Sequence, residues 1–308
     1  MYYILQKYPR AETEYCFFDR NRTCYPQGFD RLLREQLEHL ADVVISDEER
    51  DFMTRSFPFL PYWFINVFLR GYRFNPSELT ISQDEEGHLD IRIKGKWWST
   101  IMWEMPILST ISELMHQLNG DTLKYNADQE YARSYEKGCR IWKSGLTLGD
   151  MGTRRRFSFA HQERVLDALI ESYADVKRET EGKCGKFTGT SNVYLAMKKN
   201  IPCLGTMSHQ CISFEEIVSG VFECNYNVMN KWSEVYDGNV GIFLYDCFGD
   251  NVFFNNLSKR MAMTFCGLRI DSGKEEEQVD KIVEKYKQLG IDPMTKQAVF
   301  SNGLNIER

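Results

Sequence analysis

Apolar positions in the first part of the chain follow helical and strand periods in turn. Apolar residues recur at helical spacing over residues 29–43, which predicts an amphipathic helix. Ser46 and Glu49 form a capping-box pattern that predicts the start of a second helix. The aromatic stretch at 62–72 predicts a mostly buried helix, and alternation across 79–93 predicts a β-hairpin with one polar face. These elements predict an α+β domain over residues 1–118, followed by a polar connecting segment at 119–145.

From residue 146 onward, short apolar runs alternate with helix-like segments. Strands are predicted at 146–151, 184–188, 202–205, 240–245, 265–270 and 297–300, and helices at 159–173, 213–236 and 275–289. Alternation of strand and helix is typical of βαβ units and a parallel sheet. The predicted fold class is therefore α/β, with an irregular (β/α) barrel-like domain over 146–308 preceded by the α+β domain.

Polar and charged residues follow each of these predicted strands. They include Arg154 and Arg156, then Thr190 and Ser191, then His209, then Asp246 and Asp250, and finally Arg269 and Asp271. Helix capping and turn formation explain part of the Ser, Asp, Asn and Gly content of such junctions, but not the arginines and the histidine. Glycine turns flanked by arginines and acids suit a ligand with an anionic group and a hydroxylated sugar, so a phosphorylated sugar is predicted.

His209 is the first candidate among these residues. It lies in a glycine turn after a short apolar run, the position at which α/β barrels place their chemistry, and Ser213 and Glu216 are predicted to open the next helix. A histidine that only makes a loop hydrogen bond is the structural alternative. The polar junctions on both sides of His209 favour a functional role.

Composition and charge narrow the class of protein. The 308 residues are 43% hydrophobic and 27% charged, and no apolar run approaches the roughly 18 residues that a membrane span needs. The net charge of -6 argues against a general nucleic-acid binder. The N-terminus carries no secretion signal, and nine cysteines without CxxC pairs or metal-ligand spacing predict reduced thiols. A cytoplasmic protein is predicted, without a membrane or nucleic-acid partner and without a metal site of its own.

Several blocks resemble the signature blocks of nicotinate phosphoribosyltransferases, in the same order and spacing. They are GTRRRFS at 152–158, FTGTSNVYLA at 187–196, LGTMSH at 204–209 and GLRIDSG at 267–273. FLPYWFINVFLRGYRFNP, MWEMPILSTISEL and VFSNGLN extend the similarity over nearly the whole chain. The resemblance implies that the 5-phosphoribosyl group moves from phosphoribosyl pyrophosphate to the ring nitrogen of nicotinate. The products that the resemblance implies are nicotinate mononucleotide and diphosphate, on the salvage route to NAD.

The resemblance also implies how the reaction is driven and which oligomer carries it out. It implies a homodimer, coupled ATP hydrolysis through a phosphohistidine at His209, and Mg²⁺ carried with diphosphate and ATP. Arg154 is expected to contact phosphates with Arg156 as a helper. Asp250 and Asp271 are expected to accept hydrogen bonds from ribose hydroxyls. Capping alone is the structural alternative for Asp271.

The nicotinate side of the site is expected to involve other residues. Arg269 is expected to lie against the pyridine ring or its carboxylate, which a planar guanidinium can hold in two hydrogen bonds. Ser191 or Thr190 is expected on the carboxylate side of nicotinate, and Met151 stands where the family has a stacking aromatic residue. Asp246 is expected to bind substrate, with a purely structural role as its alternative.

This sequence departs from the family pattern at some positions. Gln210 stands where the family has Glu after the histidine, and Lys274 stands where it has an acid. Family chains are expected to extend beyond both ends of this sequence, so the barrel is expected to be incomplete at its C-terminal end. A non-catalytic or truncated relative that dimerises without turnover is therefore the alternative. A metal-dependent barrel hydrolase is disfavoured, because the five histidines form no HxH or HExxH motif.

Overall fold

The structure is a computed structural model, and it describes residues 1–304. The end of the predicted 146–308 domain, at residues 305–308, and the last residue of the VFSNGLN block lie outside the described residues. The described chain divides into two compact units, the first over Met1–Leu204 and the second beginning at Gly205. The domain boundaries predicted at 118 and 145 stay predictions.

The first unit begins with an antiparallel sheet backed by helices. Its elements are α1 (Tyr2–Lys7), β1 (Glu12–Cys16), α2 (Phe29–Glu38), α3 (Asp47–Ser56), β2 (Leu79–Gln83), β3 (Leu89–Lys96), α4 (Trp97–Thr100) and α5 (Glu104–Leu118). The strand order is β1-β3-β2. Apolar residues of α2 and α5 share one buried core with β2 and β3, which explains the periods found in the sequence. The hairpin and the Ser46–Glu49 capping box are confirmed. The helix predicted at 29–43 is confirmed as an α-helix over Phe29–Glu38, and a 3-10 turn follows over His39–Asp42.

The aromatic stretch at 62–72 is only partly buried. It contains a π-helical segment, Phe64–Leu69, in which Phe64 and Ile65 are buried. Tyr62 is 73% exposed and Val67 is 65% exposed. The prediction of a mostly buried helix is therefore wrong for one face, because the core covers only the side that carries Phe64 and Ile65.

The rest of the first unit carries a pair of parallel strands. Its elements are α6 (Asp121–Lys124), α7 (Ala127–Lys143), β4 (Thr147–Asp150), α8 (Phe159–Glu179), β5 (Lys186–Thr190) and α9 (Val193–Lys199). Strands β4 and β5 pair in parallel, with Asp150 opposite Thr190. A core that includes Trp142, Leu166 and Phe187 joins the strands to the helices. The pairing brings the ends of both strands to one edge.

The second unit is a three-stranded parallel sheet with helices between its strands. Its elements are α10 (His209–Ser219), α11 (Cys224–Tyr236), β6 (Ile242–Leu244), α12 (Asp250–Asn256), α13 (Lys259–Thr264), β7 (Gly267–Ile270), α14 (Glu275–Gln288) and β8 (Gln297–Phe300). The strand order is β6-β7-β8. Strands β6 and β7 are largely buried, whereas β8 is mostly exposed. The predicted α/β class is confirmed, while the barrel arrangement stays a prediction.

The helix predicted at 213–236 is wrong in its start and in its continuity. Ser208 is the N-cap residue and His209 the first helical residue, so the helix opens before Ser213. Gly220 then ends α10 in a backbone conformation with φ of 81°, which favours glycine, and α11 begins at Cys224. The strand predicted at 202–205 reduces to one bridge between Cys203 and Thr190, because the proline at position 202 has no amide hydrogen to give.

None of the helices in residues 1–304 combines the length and the apolar character that a membrane span requires.

Candidate active site

Asp150 is the centre of a polar cluster at the ends of β4 and β5. Its Oδ2 accepts hydrogen bonds from Thr190 Oγ1 at 2.7 Å and from Gln162 Nε2 at 3.0 Å. Its Oδ1 accepts from the backbone N–H of Gly152 at 3.0 Å. Parallel strands place their carboxyl ends at the same edge, so the pairing of Asp150 with Thr190 follows from the fold. We call Asp150, Thr153, Gln162, Thr190 and Asn192 the Asp150 cluster.

The predicted nicotinate contacts Thr190 and Ser191 differ in what their side chains can do. Thr190 is fully buried, and its hydroxyl donates to Asp150 while accepting from the backbone N–H of Asn192 at 3.1 Å. The backbone N–H of Ser191 donates to the Asp150 carbonyl at 2.8 Å. Ser191 is half-buried, and Met151 is exposed beside Asp150. Ser191 is thus better placed for a ligand than Thr190, whose hydroxyl organises the cluster.

The two predicted phosphate-binding arginines also differ. Arg154 is 43% exposed and lies 3.3 Å from Glu104 Oε1 through its Nη1. Arg156 is only 18% exposed, and its Nε donates to Glu113 Oε1 on α5. Its backbone carbonyl also accepts from Ser112 Oγ at 2.8 Å. Arg156 therefore fastens its loop to α5, and Arg154 is the arginine that can reach a phosphate.

In the second unit, His209 faces two carboxylates. His209 Nε2 lies 3.5 Å from Asp246 Oδ1 and 3.4 Å from Asp271 Oδ2. Asp246 follows β6 and Asp271 follows β7, so neighbouring parallel strands deliver both acids to one edge. His209 itself opens α10 and keeps 44% of its side chain exposed. We call His209, Asp246, Arg269 and Asp271 the His209 cluster.

Arg269 holds the His209 cluster together. Its Nε donates to Ser301 Oγ at 2.7 Å, its Nη1 to Thr206 Oγ1 at 2.9 Å, and its Nη2 to Asp271 Oδ1 at 2.9 Å. Most of the N–H groups of the guanidinium are used in these bonds. A two-bond grip on a ligand carboxylate would therefore require internal partners to move, whereas the flat face of the guanidinium can still lie against a ring.

The two acids are held in their charged form. Burial alone would raise the pKa of Asp271, but hydrogen bonds from Ser301 and Arg269 and the nearby positive charges outweigh it and lower the pKa. Burial also works against the charge of Asp246, yet the approach of His209 and a hydrogen bond from Ser272 lower its pKa. Two carboxylates thus face one side of the histidine.

Asp250 lies apart from these contacts. It is the first residue of α12, and its Oδ2 accepts from Lys281 Nζ at 2.6 Å and from Gln278 Nε2 at 3.3 Å. Both partners belong to α14. The predicted bond from Asp250 to a ribose hydroxyl stays a prediction, and in this structure the acid joins α12 to α14.

Sequence reasoning missed Asp150 and Gln162 of the Asp150 cluster, and it missed Cys247, which lies beside the His209 cluster. Asp150 carried a signal, since it is an acid at the end of a predicted strand, directly before the glycine turn. Cys247 directly follows Asp246 but carried almost no signal, because a single cysteine without a second cysteine or a histidine at metal-ligand spacing indicates no site. One ligand atom each of His209, Asp246 and Cys247 lie within 4.8 Å of one another. Burial raises the pKa of the Cys247 thiol to about 12, with the Asp246 charge acting in the same direction.

Comparison with known proteins decides the family. The model of the nicotinate phosphoribosyltransferase family matches residues 146–308, and the model of its N-terminal domain matches residues 1–112. A nicotinate phosphoribosyltransferase of Chromohalobacter salexigens is 35% identical over 99% of this chain and 75% of its own length. The chain belongs to the nicotinate phosphoribosyltransferase family. The predicted family and enzyme class are thereby confirmed.

A solved structure and a further relative support the membership of this chain in the family. The crystal structure of a nicotinate phosphoribosyltransferase from Porphyromonas gingivalis is 36% identical, with a TM-score of 0.92 over 100% of this chain and 76% of that chain. A nicotinate phosphoribosyltransferase of Methanosarcina mazei is 32% identical over 99% of this chain and 76% of its own length. The roles of single site residues stay predictions.

The sequence blocks that resemble the family's signature blocks contribute residues to the two clusters. The GTRRRFS and FTGTSNVYLA blocks supply Thr153, Thr190 and Asn192 of the Asp150 cluster. The LGTMSH and GLRIDSG blocks supply His209, Arg269 and Asp271. Each pair of blocks is distant in sequence and adjacent in space, so each pair builds one chemical environment.

Proposed function

We propose that this chain transfers the phosphoribosyl group of phosphoribosyl pyrophosphate to nicotinate, with ATP hydrolysis coupled through a phosphohistidine at His209. The observation that carries the proposal is the placement of a half-exposed imidazole opposite two charged carboxylates. Because Nε2 faces Asp246 and Asp271, the proton of the neutral ring belongs on Nε2. Nδ1 then keeps its lone pair and is the nucleophilic nitrogen.

The first half of the reaction follows from this arrangement. Nδ1 of His209 attacks the γ-phosphorus of ATP, a new N–P bond forms, and the bond to the bridging oxygen breaks to release ADP. The two carboxylates stabilise the positive ring that forms as Nδ1 gives up its lone pair. His209 is the first residue of α10, an eleven-residue helix whose N-terminal backbone amides favour the added phosphate.

Phosphoribosyl transfer itself requires positioning and charge stabilisation. The bond from C1 of the ribose to the diphosphate oxygen breaks, and the pyridine nitrogen forms the new bond to C1. Water then cleaves the N–P bond on His209, which releases phosphate and restores the free imidazole. Within the first unit, Arg154 is the exposed cation that would contact a phosphate, and Ser191 is the candidate for the nicotinate carboxylate. Within the second unit, the flat face of Arg269 is the candidate support for a pyridine ring.

Mg²⁺ would arrive with diphosphate and ATP as part of the substrate. Carboxylate oxygens are the ligands that Mg²⁺ prefers, and Asp246 offers a buried Oδ1 that accepts no hydrogen bond from the described residues. Asp271 Oδ2 lies on the same side of His209. The described residues of the His209 cluster therefore fit a hard cation, whose positive charge would neutralise the departing diphosphate.

We also propose that the chain forms a homodimer in the cytoplasm. Exposed apolar side chains of α10, α11 and the loop between them suit association, and all nine cysteines are free thiols, as a reducing compartment requires. The apolar side chains are Ile217, Val218, Phe222 and Tyr226. Sedimentation of the purified chain over a range of concentrations tests the association.

The deciding experiment combines turnover with labelling. The purified chain is incubated with nicotinate, phosphoribosyl pyrophosphate, Mg²⁺ and ATP labelled at the γ-phosphate, and nicotinate mononucleotide and acid-labile protein label are both measured. The expected result is product together with label that His209→Ala abolishes. Label that survives in His209→Ala would overturn the phosphohistidine. Absence of product under every condition would favour the non-catalytic relative.

A further inference from the structure

Three side chains of different chemistry lie close together, and one of them is the proposed phosphohistidine, His209. A ring nitrogen of His209, a carboxylate oxygen of Asp246 and the Sγ of Cys247 lie within 4.8 Å of one another. Asp246 directly follows a buried stretch that continues β6 through Tyr245, and Cys247 is the next residue. Tyr245 itself is anchored by a hydrogen bond from its hydroxyl to Gln278 Oε1 at 2.6 Å. The backbone that carries two of the three side chains is thus fixed.

The donor atoms of this trio can reach an ion. The side chain of Asp246 is 11% exposed, and its buried Oδ1 faces His209 Nε2 at 3.5 Å, beyond the usual hydrogen-bond distance. Its other oxygen accepts from Ser272 Oγ at 2.7 Å, which orients the carboxylate. Cys247 is a free thiol. The half-exposed His209 gives a cation a path from solvent.

The identity of the donors decides which ion fits. Imidazole nitrogen, carboxylate oxygen and thiolate sulfur together are ligands of Zn²⁺, whereas Mg²⁺ takes oxygen ligands. A tetrahedral zinc centre has bond lengths of about 2.0 to 2.3 Å, so its donor atoms stand roughly 3.3 to 3.8 Å apart. The most widely separated pair of donor atoms in the trio therefore needs to close by about 1 Å.

We propose that His209, Asp246 and Cys247 form a binding site for Zn²⁺ and that the bound ion inhibits the enzyme by occupying His209. As the sulfur–zinc bond forms, the thiol proton leaves to solvent. The fourth position is open to water or to Asp271 Oδ2, which lies 3.4 Å from His209 Nε2. An occupied site removes the histidine from phosphoryl transfer, and this inhibitory half of the proposal rests on the proposed function.

Binding is tested directly, without any turnover. Co²⁺ is titrated into the full chain as a spectroscopic substitute for Zn²⁺, and competition by Zn²⁺ gives its affinity. The expected result is one ion per chain with a thiolate-to-cobalt charge-transfer band. Cys247→Ser should remove the band and weaken Zn²⁺ binding by roughly 100-fold or more, since changes to outer partners alone cost about 10 to 100-fold. Cys266→Ser, at an exposed thiol of the same unit, is the matched control and should bind as the unaltered chain does.

Two further measurements keep the test decisive. Thermal unfolding shows whether Cys247→Ser is folded, and Asp246→Asn, measured for binding alone, gives an independent loss of affinity. Equal Zn²⁺ affinity in Cys247→Ser and the unaltered chain overturns the site. In excess Mg²⁺, Zn²⁺ should inhibit turnover of the unaltered chain and of Cys266→Ser, and Cys247→Ser should resist it. If Zn²⁺ inhibits Cys247→Ser as strongly as it inhibits the unaltered chain, the inhibitory half of the proposal is overturned. If the chain shows no turnover, the binding measurement decides whether the Zn²⁺ site exists.

Discussion

Thr190 at the end of β5 donates a hydrogen bond from Oγ1 to Oδ2 of Asp150 at the end of β4, with 2.7 Å between the two oxygens. Thr190 is fully buried, so this bond is shielded from water. The same carboxylate also accepts from Gln162, and its partner Thr190 accepts from the backbone of Asn192. The loops after two neighbouring strands are therefore joined through one buried hydroxyl.

Removing that hydroxyl should destabilise the first unit. Thr190→Val keeps the shape of the side chain but leaves Asp150 without one donor and the N–H of Asn192 without its acceptor. The expected loss is about 1 to 3 kcal/mol in the free energy of unfolding, measured by denaturant titration. Thr188→Val is the control, because Thr188 donates only to the Leu148 carbonyl at 3.0 Å, and it should lose about 0.5 to 1.5 kcal/mol. Equal losses would contradict the special role of Thr190.

Arg154 and Arg156 form a matched pair with opposite expectations. Arg154→Ala should raise the KM for phosphoribosyl pyrophosphate while leaving the melting temperature nearly unchanged, because its exposed pair with Glu104 contributes little. Arg156→Ala should lower the melting temperature, because it removes the shielded pair with Glu113 and the packing of the guanidinium over Phe159, 5.2 Å from its ring centre. Steady-state kinetics and thermal unfolding of both variants test this. An Arg156→Ala chain that keeps its melting temperature would refute the anchoring role.

The lowered pKa values of Asp246 and Asp271 predict loss of stability in acid. A carboxyl group whose pKa is lower in the folded than in the unfolded chain adds stability above its ordinary value of 3.8, and that stability is lost as pH falls towards the folded value. Asp271→Asn should therefore cost most stability near neutral pH. The difference from the unaltered chain should shrink below about pH 4. Unfolding curves from pH 7 to pH 2 measure it.

A control separates this effect from a general loss of negative charge. Asp280→Asn removes one charge at an exposed position of α14. Its unfolding curves should follow those of the unaltered chain at every pH. A difference for Asp271→Asn that stays constant from pH 7 to pH 2 would show that the carboxylate charge is not the source of the stability.

The alternation of apolar runs and helical periods was enough to predict the parallel strands β4 to β8 and the helices α2, α3, α8 and α14. Short apolar runs bounded by glycine and polar residues have few other interpretations in a chain of this length. Helix starts were harder, since Ser208 and Ser213 are both good capping residues. Only the position of α10 in the folded unit decides that Ser208 caps it.

The candidate site was predictable in most of its charged members but not in its contacts. Residues at the ends of parallel strands meet at one edge, so His209, Asp246 and Asp271 could be grouped before any coordinates. The hydrogen bonds from Arg269 to Ser301 and Thr206 join segments that are distant in sequence. The same is true of the hydrogen bond from Lys281 to Asp250. The periodicity of apolar residues along the chain does not predict such contacts.

Arg269 joins the ends of β7 and β8 to the loop before α10, so a substitution that keeps its charge tests the role of the guanidinium. Arg269→Lys keeps one positive charge, but a single ammonium cannot reach Ser301, Thr206 and Asp271 with the same geometry, and it has no flat face for a pyridine ring. The KM for nicotinate should rise at least about tenfold more than the KM for ATP, because the lost flat face of the guanidinium concerns the pyridine ring. Lys281→Met, which removes the ammonium partner of Asp250 on α14, is the control and should not change the nicotinate preference in this way. Equal increases in both KM values for Arg269→Lys would move Arg269 away from the nicotinate site and leave it a structural anchor of the His209 cluster.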